Sequence, residues 1–90
     1  MVTAFVLINM RDKEIKDTAD RLLSFGGVKE VHVVAGEYDM VAVCRVPDNQ
    51  QLSELITQKI IHADGVDRTK TLFALESYAT FDLDEFFGEK

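Results

Sequence analysis

The chain has 90 residues, of which 47% are hydrophobic and 29% are charged, and this length accommodates one compact domain but no second hydrophobic core. Ten basic against sixteen acidic side chains give a formal net charge of −6, which argues against direct binding to a nucleic-acid phosphate backbone. A single cysteine excludes an internal disulfide, and no apolar run reaches the roughly 20 residues of a membrane span, so we expect a cytoplasmic protein without membrane contact.

Apolar periodicity predicts four strands and two helices. The predicted elements are, in chain order, a strand over 2–9, a helix over 14–25, strands over 28–35 and 40–46, a helix that begins at Asp48 or Asn49, and a strand over 66–75. The apolar stripes of the two helices are Ile15, Ala19, Leu22 and Leu23, and then Leu52, Leu55, Ile56 and Ile60. The short polar link 36–39 implies that the second and third strands form an antiparallel hairpin.

The order strand-helix-strand occurs twice along the chain. The two halves align with Gly27-Val28 on Gly65-Val66, which suggests a doubled βαβ unit. Two such units interleave into a ferredoxin-like α+β fold of βαββαβ topology. We therefore expect a four-stranded antiparallel sheet with both helices on one face and with the first and third strands in the centre.

Both predicted central strands are apolar on their two sides, although two helices cover only one side of a sheet. In the first strand Phe5 and Leu7 point away from the even-numbered apolar residues, and in the third strand Val41 and Val43 oppose their even-numbered neighbours. The sequence does not say which side meets the helices. We expect the second side to pack against another copy, in a homodimer of the dimeric α/β-barrel type with these four residues in its interface.

The C-terminal stretch 77–90 offers an alternative cover for that side. It is acidic: residues 76–90 contain five acidic side chains and one basic side chain, hence −4 of the net −6. It also carries four large apolar residues, Phe81, Leu83, Phe86 and Phe87. A folded monomer at micromolar concentration would favour this alternative over the dimer.

The turn 36–39 reads Gly-Glu-Tyr-Asp and allows two interpretations. As a hairpin turn, it uses Gly36 for a positive φ and Asp39 for a local hydrogen bond, but this does not explain Tyr38. As a binding site, its backbone N–H groups would hold a carboxylate, while Glu37 or Asp39 would pair with an ammonium group. Free amino acids carry both of these charges.

No catalytic, cofactor or metal motif is present: the chain lacks GxGxxG, a P-loop, HExxH and GxSxG. His32 and His62 have no companions at ligand spacing, and Cys44 lies among apolar strand residues, so we interpret them as structural or solvated. Thr69 and Thr71 share one side of the fourth strand. They are either ordinary β-branched strand residues or hydroxyls that line a pocket completed by a neighbouring subunit.

The hairpin with its flanking strands, VKEVHVVAGEYDMVAVCRVPD, followed by a helix and then DGVDRTKTLFAL, resembles the effector-binding (RAM) domain of the Lrp/AsnC family of transcriptional regulators. The resemblance covers residues 1–76, which we assign to a ligand-binding domain, and leaves 77–90 as an acidic tail. It implies sheet-to-sheet dimers, further assembly into octamers or decamers, and a small effector, typically an amino acid, bound between subunits. The residues that it places at this site are Gly36, Glu37, Tyr38 and Asp39, with Thr69 and Thr71 matching the family's Thr-x-Thr.

Full-length family members carry a helix-turn-helix, whereas here the first strand follows Met1 at once. We expect a stand-alone effector domain that does not bind DNA, is not an enzyme, and modulates transcription or metabolism, alone or together with full-length Lrp/AsnC regulators. Two alternatives stay open. One is a cofactor-free dimeric α/β-barrel enzyme that uses His32 or Asn9 inside an enclosed pocket. The other is an interaction subunit that binds no ligand.

Overall fold

The elements of the chain follow the predicted βαββαβ order in a computed structural model that describes residues 1–11 and 14–80. Their bounds are β1 (Val2–Met10), α1 (Ile15–Leu23), β2 (Val28–Val33), β3 (Met40–Val46), α2 (Asn49–Glu54), a π-helical segment (Leu55–Ile60) that continues α2, and β4 (Val66–Phe73). Within the described ranges, no helix is long and apolar enough to cross a membrane.

The four strands form one antiparallel sheet in the order β2-β3-β1-β4, so the predicted central position of the first and third strands is confirmed. Phe5 pairs with Val43 on one side and with Leu72 on the other. Leu7 likewise lies between Val41 and Lys70. This register determines which side chains share a face of the sheet.

One face of the sheet carries the hydrophobic core. Its central side chains, Ala4, Val6, Ile8, Met40, Ala42 and Cys44, are 0% exposed. The helices bring Leu22, Leu52 and Ile60 onto this face. Each fully buried side chain of this size contributes about 1.5–3 kcal/mol relative to its exposed state. We call this side the covered face and the opposite side, with Phe5, Leu7, Val41 and Val43, the open face.

Cys44 is a core residue of the covered face, as its apolar neighbours predict. Burial raises the pKa of its thiol to about 11. Because the reactive form of cysteine is the thiolate, such a thiol is inert at neutral pH.

The first helix presents a different stripe from the predicted one. Leu22 is buried as expected, but Ile15 and Leu23 are 48% and 45% exposed. Thr18 takes their place and is 0% exposed, because it lies one helical turn before Leu22 on the side that meets the sheet. The prediction that Ile15 and Leu23 face the core is therefore wrong, because it relied on the size of the apolar side chains in this helix.

The second helix begins as predicted and then changes its winding. Asp48 is the cap, since its Oδ1 accepts a hydrogen bond from the Gln51 N–H at 2.8 Å. From Leu55 onward the helix is π-helical, and the Ile61 N–H donates to the Ile56 carbonyl five residues earlier at 3.1 Å. The apolar spacing did not predict this change of winding. The first and last residues of the π-helical segment, Leu55 and Ile60, are both buried.

Gly27 allows the close approach between the α1–β2 connection and the end of β3. Its φ is +100°, and a Cβ at this position would lie 2.7 Å from Cγ1 of Val46. A side chain would therefore meet both backbone strain and a steric clash. The Arg45 N–H donates to the Gly27 carbonyl at 2.8 Å, which fixes β2 against β3 at this point.

Candidate functional site

The turn between β2 and β3 packs against the end of β1. The Val34 N–H donates to the Asp39 carbonyl at 3.0 Å, and the Asp39 N–H donates to the Ile8 carbonyl at 2.9 Å. Gly36 has a φ of +134°, as its interpretation as a turn glycine requires. No neighbouring atom lies within 4 Å of where its Cβ would be, so the backbone alone selects glycine here.

Two side chains tie the turn to β1. Oδ2 of Asp39 accepts a hydrogen bond from the Met10 N–H at 2.7 Å, and Nδ2 of Asn9 donates to the Glu37 carbonyl at 2.8 Å. Asp39 thus has a role in the fold, but its side chain bonds to Met10 in β1, whereas the structural interpretation predicted a local bond within the turn. Glu37 and Asp39 are both exposed and Tyr38 is half-buried. Because the Asp39 carboxylate already accepts the Met10 N–H, Glu37 is the acidic residue of the turn that is better placed to meet a ligand.

Asn9 is a site residue that the sequence indicated only as an enzyme candidate. Its partner Glu37 lies 28 residues away, and no local pattern predicts such a contact. The Asn9 amide therefore positions the backbone of the turn.

The two threonines lie on the covered face of β4. Thr69 pairs with Ile8 and Thr71 pairs with Val6, and both threonines are half-buried. Thr71 lines an open groove of about 680 Å³ between the β1–β4 edge and the second helix. Leu52 and Ile56 form part of its apolar lining.

The threonines and the turn do not form one pocket within a single chain. Thr71 lies opposite Val6, whereas the turn bonds to Ile8 and to residues beyond it. The strand β1 separates β3 from β4, which puts both threonines about 10 Å from β3 across the sheet, and Thr71 lies about 7 Å further along the strands than Thr69. The groove that Thr71 lines includes no residue of the turn.

The open face has an apolar centre and charged edges. Its apolar residues are Phe5, Leu7, Val41, Val43 and Leu72. Leu72 was not among the residues predicted for this interface and is 46% exposed, although its alternation with Lys70 is visible in the sequence. The β2 edge carries Glu30 and His32, and the β4 edge carries Arg68 and Lys70.

The polar groups of the open face make contacts at its borders. Nε2 of His32 lies 2.7 Å from Oε1 of Glu30, with both side chains about half exposed. At the other end of the face, Nη1 of Arg45 donates to Oγ1 of Thr3 at 2.6 Å beside a cavity of about 220 Å³. Neither this cavity nor the larger groove includes His32 or Asn9, the two residues that the enzyme alternative requires.

The alternative cover for the open face falls largely outside the described residues. This applies to Phe81, Leu83, Phe86 and Phe87. Among the preceding residues, Leu75 is 94% exposed and Tyr78 is 87% exposed. These two side chains therefore do not pack on the apolar centre of the open face, where Val43 is 8% exposed and Phe5, Leu7 and Val41 are half-buried.

A family model described as the Lrp/AsnC ligand binding domain matches residues 3–82. The chain belongs to this family. Membership agrees with the βαββαβ topology and identifies the chain as a ligand-binding domain of a family of transcriptional regulators, which confirms the resemblance found in the sequence.

Solved structures similar to this chain include two of about its own length and one that is longer. A Thermus thermophilus protein, TTHA0845, is 39% identical with a TM-score of 0.79, and the alignment covers 88% of this chain and 99% of that one. A hypothetical protein from Pyrococcus horikoshii, PHS023, is 32% identical with a TM-score of 0.77, covering 87% and 94%. A feast or famine regulatory protein from Mycobacterium tuberculosis, complexed with L-methionine, is 30% identical with a TM-score of 0.74, covering 89% and 54%.

Curated relatives are longer. An uncharacterised HTH-type transcriptional regulator of Pyrococcus furiosus is 34% identical over 73 residues, covering 78% of this chain and 49% of its own length. The chain thus spans about half the length of the curated relatives that it matches. The shared half is the ligand-binding domain.

Proposed function

We propose that this chain is a stand-alone effector-binding domain, which forms a homodimer through its open face and binds a free amino acid between subunits. The observation that carries the proposal is the anchored turn at the end of an apolar sheet face that the helices do not cover. The turn supplies backbone N–H groups and an exposed carboxylate to a ligand. Burial of the apolar face favours the binding of a second chain beside the turn.

Chemistry supports an amino acid as the effector. Glu37 offers a carboxylate to an ammonium group, and the turn N–H groups offer donors to a carboxylate. The relative from Mycobacterium tuberculosis that is complexed with L-methionine shows that a protein with a similar domain takes such a molecule. Thr69 and Thr71 would reach the ligand from a neighbouring subunit, since β1 lies between their strand and the strand that follows the turn in their own chain.

The regulatory output follows from assembly rather than from DNA contact. Solved relatives that are covered over nearly their whole length support a working domain without a helix-turn-helix. We propose a cytoplasmic role in which dimers, or rings of eight or ten chains, respond to the effector and modulate transcription or metabolism. Co-assembly with full-length Lrp/AsnC regulators would connect that response to promoters.

Calorimetric titration of the intact protein with each of the twenty amino acids tests the proposal. We expect heat of binding with at least one of them. The variant Glu37→Gln should lower the affinity for that amino acid about tenfold or more, because it removes a charge-assisted hydrogen bond. Glu54→Gln is the matched control, since Glu54 is an exposed carboxylate on the second helix, and it should bind like the parent protein.

Two results would contradict the proposal. One is the absence of heat for all twenty amino acids while the protein remains an intact assembly, which would favour the interaction subunit without a ligand. The other is unchanged affinity in Glu37→Gln, which would place the ligand away from the turn.

A further inference from the structure

We propose that the segment 81–90 folds back on its own chain and occupies the open groove between β4 and the second helix, where it covers Thr71 and competes with the effector. The docking of the segment stands on the groove and on the sequence of the segment. The competition with the effector rests in addition on the proposed function.

The groove exists because the second helix does not extend over β4. The helix α2 packs against β3, and β1 lies between β3 and β4, so β4 lies about 10 Å to the side of the strand that the helix covers. Phe73 lies opposite Ala4 on the covered face and is nevertheless 58% exposed. The resulting cleft of about 680 Å³ has a size that is typical of ligand cavities.

The lining of the groove is apolar and uncharged. Leu52, Ile56 and Phe73 supply much of its apolar surface. The polar side chains of the lining, as far as the structure describes it, are all neutral: Asn49, Ser53, Thr57 and Thr71. Such a surface favours apolar side chains and places no carboxylate against an acidic segment.

The segment 81–90 matches this surface in its sequence. Phe81 and Leu83 alternate with two aspartates, and Phe86 and Phe87 follow. In an extended chain this alternation directs the apolar side chains to one side and the carboxylates to the other. With the apolar side in the groove the carboxylates remain in solvent, which avoids the cost of burying a charge.

The chain leaves β4 along the wall of the groove, which places the segment within reach. Ala74 still pairs with β1, since its N–H donates to the Thr3 carbonyl at 3.0 Å, and the next residue, Leu75, lines the groove. Leu75 precedes Thr80 by five residues, and the ten residues after Thr80 span up to about 33 Å when extended. The segment therefore reaches the groove of its own chain.

The groove has more apolar surface to cover than the centre of the open face. Phe73 and Leu75 in the groove are 58% and 94% exposed, whereas Val43 at the centre of the open face is 8% exposed and Phe5 is half-buried. Because hydrophobic stabilisation is proportional to the apolar area removed from water, the segment gains more in the groove.

Occupation of the groove affects the proposed ligand site. Thr71 lines the groove, so a segment that lies there covers the hydroxyl proposed to reach an effector of a neighbouring subunit. The effector then binds only those chains whose groove is open, and its apparent affinity falls in proportion to their fraction.

A single tryptophan tests the docking. The chain contains no tryptophan, so Phe86→Trp in the full chain places one indole in the segment. We expect acrylamide to quench this indole about threefold less than in the urea-unfolded protein, because a docked aromatic side chain is largely removed from water. The shielding should not change on dilution, since the groove belongs to the same chain.

A carboxylate in the groove should release the segment. Ser53 is exposed and lines the groove, and Ser53→Glu should restore the quenching by repelling the acidic side chains. Two controls should leave the indole shielded: Ser53→Lys, which adds a long side chain of opposite charge, and Gln58→Glu, which adds the same charge at an exposed position outside the groove lining.

Leu7→Asp distinguishes the groove from the open face. This variant should leave the indole shielded while circular dichroism shows a folded domain. The docking would be overturned by an indole that is quenched as in urea, or by shielding that survives Ser53→Glu. It would equally be overturned by shielding that is lost in Leu7→Asp, which places the segment on the open face, or on dilution, which places it on a neighbouring chain.

Calorimetry measures the competition separately, with the amino acid that the parent protein binds. The double variant Phe86→Asp, Phe87→Asp should free the groove and raise the affinity about threefold or more, according to the fraction of chains that the segment closes. Unchanged affinity would contradict the competition. The absence of heat in both proteins would contradict the proposed function, whereas the indole decides the docking independently.

Discussion

The two faces of the sheet are built from similar residues along β1 and β3, but within residues 1–11 and 14–80 only one of them is covered by helices. On the covered face Ile8 is 0% exposed beneath the helices, whereas its neighbour Leu7 on the open face is only half-buried. The residue pattern of the central strands thus predicts that both faces of the sheet are apolar, whereas two helices cover only one of them. An apolar face without helices indicates a site for a partner chain.

The largest expected effect comes from the adjacent pair Ile8→Ala and Leu7→Ala. Ile8→Ala leaves a cavity in the core and should lower the free energy of unfolding by about 3–4 kcal/mol at any protein concentration. Leu7→Ala should cost about 1 kcal/mol or less in dilute protein and more in concentrated protein, where the dimer forms. Urea denaturation of both variants at two protein concentrations measures these changes in the free energy of unfolding.

A concentration-independent cost for Leu7→Ala equal to that of Ile8→Ala would contradict this difference between the faces. It would mean that the open face is already closed within one chain, as the folded-back tail would require.

A smaller effect is the pH dependence that Cys44, on the covered face, should give to the free energy of unfolding. Burial raises the pKa of the Cys44 thiol from near 9 to about 11, so the unfolded thiol ionises first as the pH rises. The stabilisation is complete below pH 9 and is lost between pH 9 and about 11, by roughly 2–3 kcal/mol in total.

Denaturation curves of the parent protein and of Cys44→Ala across this pH range measure the effect. The variant is less stable throughout but should lack the slope that Cys44 contributes, because both forms keep every other titrating group. Parallel pH profiles would show that the thiol is not shielded by the helices.

The turn at the end of both faces offers a third comparison, Gly36→Ala against Gly26→Ala. Gly36 has a positive φ and open space around it, so alanine should cost about 1–2 kcal/mol through backbone strain alone. Gly26 has no positive φ, and no atom lies within 4 Å of where an alanine methyl group would be, so alanine should be neutral or slightly stabilising there. Thermal unfolding measures the difference, and equal melting temperatures would show that the turn relaxes around a side chain.

The smallest expected effect is the change in stability when Thr18, on the covered face, and Thr3, on the open face, are each replaced by valine. Oγ1 of Thr18, buried under the covered face, has no hydrogen-bond partner among the described residues, so Thr18→Val should stabilise the protein by about 1 kcal/mol. Thr3, at the border of the open face, accepts a hydrogen bond from Arg45, so Thr3→Val should destabilise it by about 1 kcal/mol. Chemical denaturation measures both, and a destabilised Thr18→Val would indicate that its hydroxyl is satisfied in solution.

The sequence predicted the order of the elements, the central strands and the two apolar faces, because these depend on local periodicity. It predicted neither the π-helical segment nor the burial of Thr18, since both depend on how each helix rests on the sheet. The contact between Asn9 and the turn was also out of reach, because its partners lie 28 residues apart. The register explains why Thr69 and Thr71, which match a family motif, lie on the covered face and not beside the turn.

The mass of the protein in solution at micromolar concentration tests the central claim most directly. Sedimentation equilibrium of the intact chain should give twice the chain mass of 10.2 kDa or a larger even multiple, and Leu7→Asp should shift the protein toward 10.2 kDa while its circular dichroism remains that of a folded domain. A folded parent protein at 10.2 kDa would contradict the account, because its open face would then have no second chain to cover it.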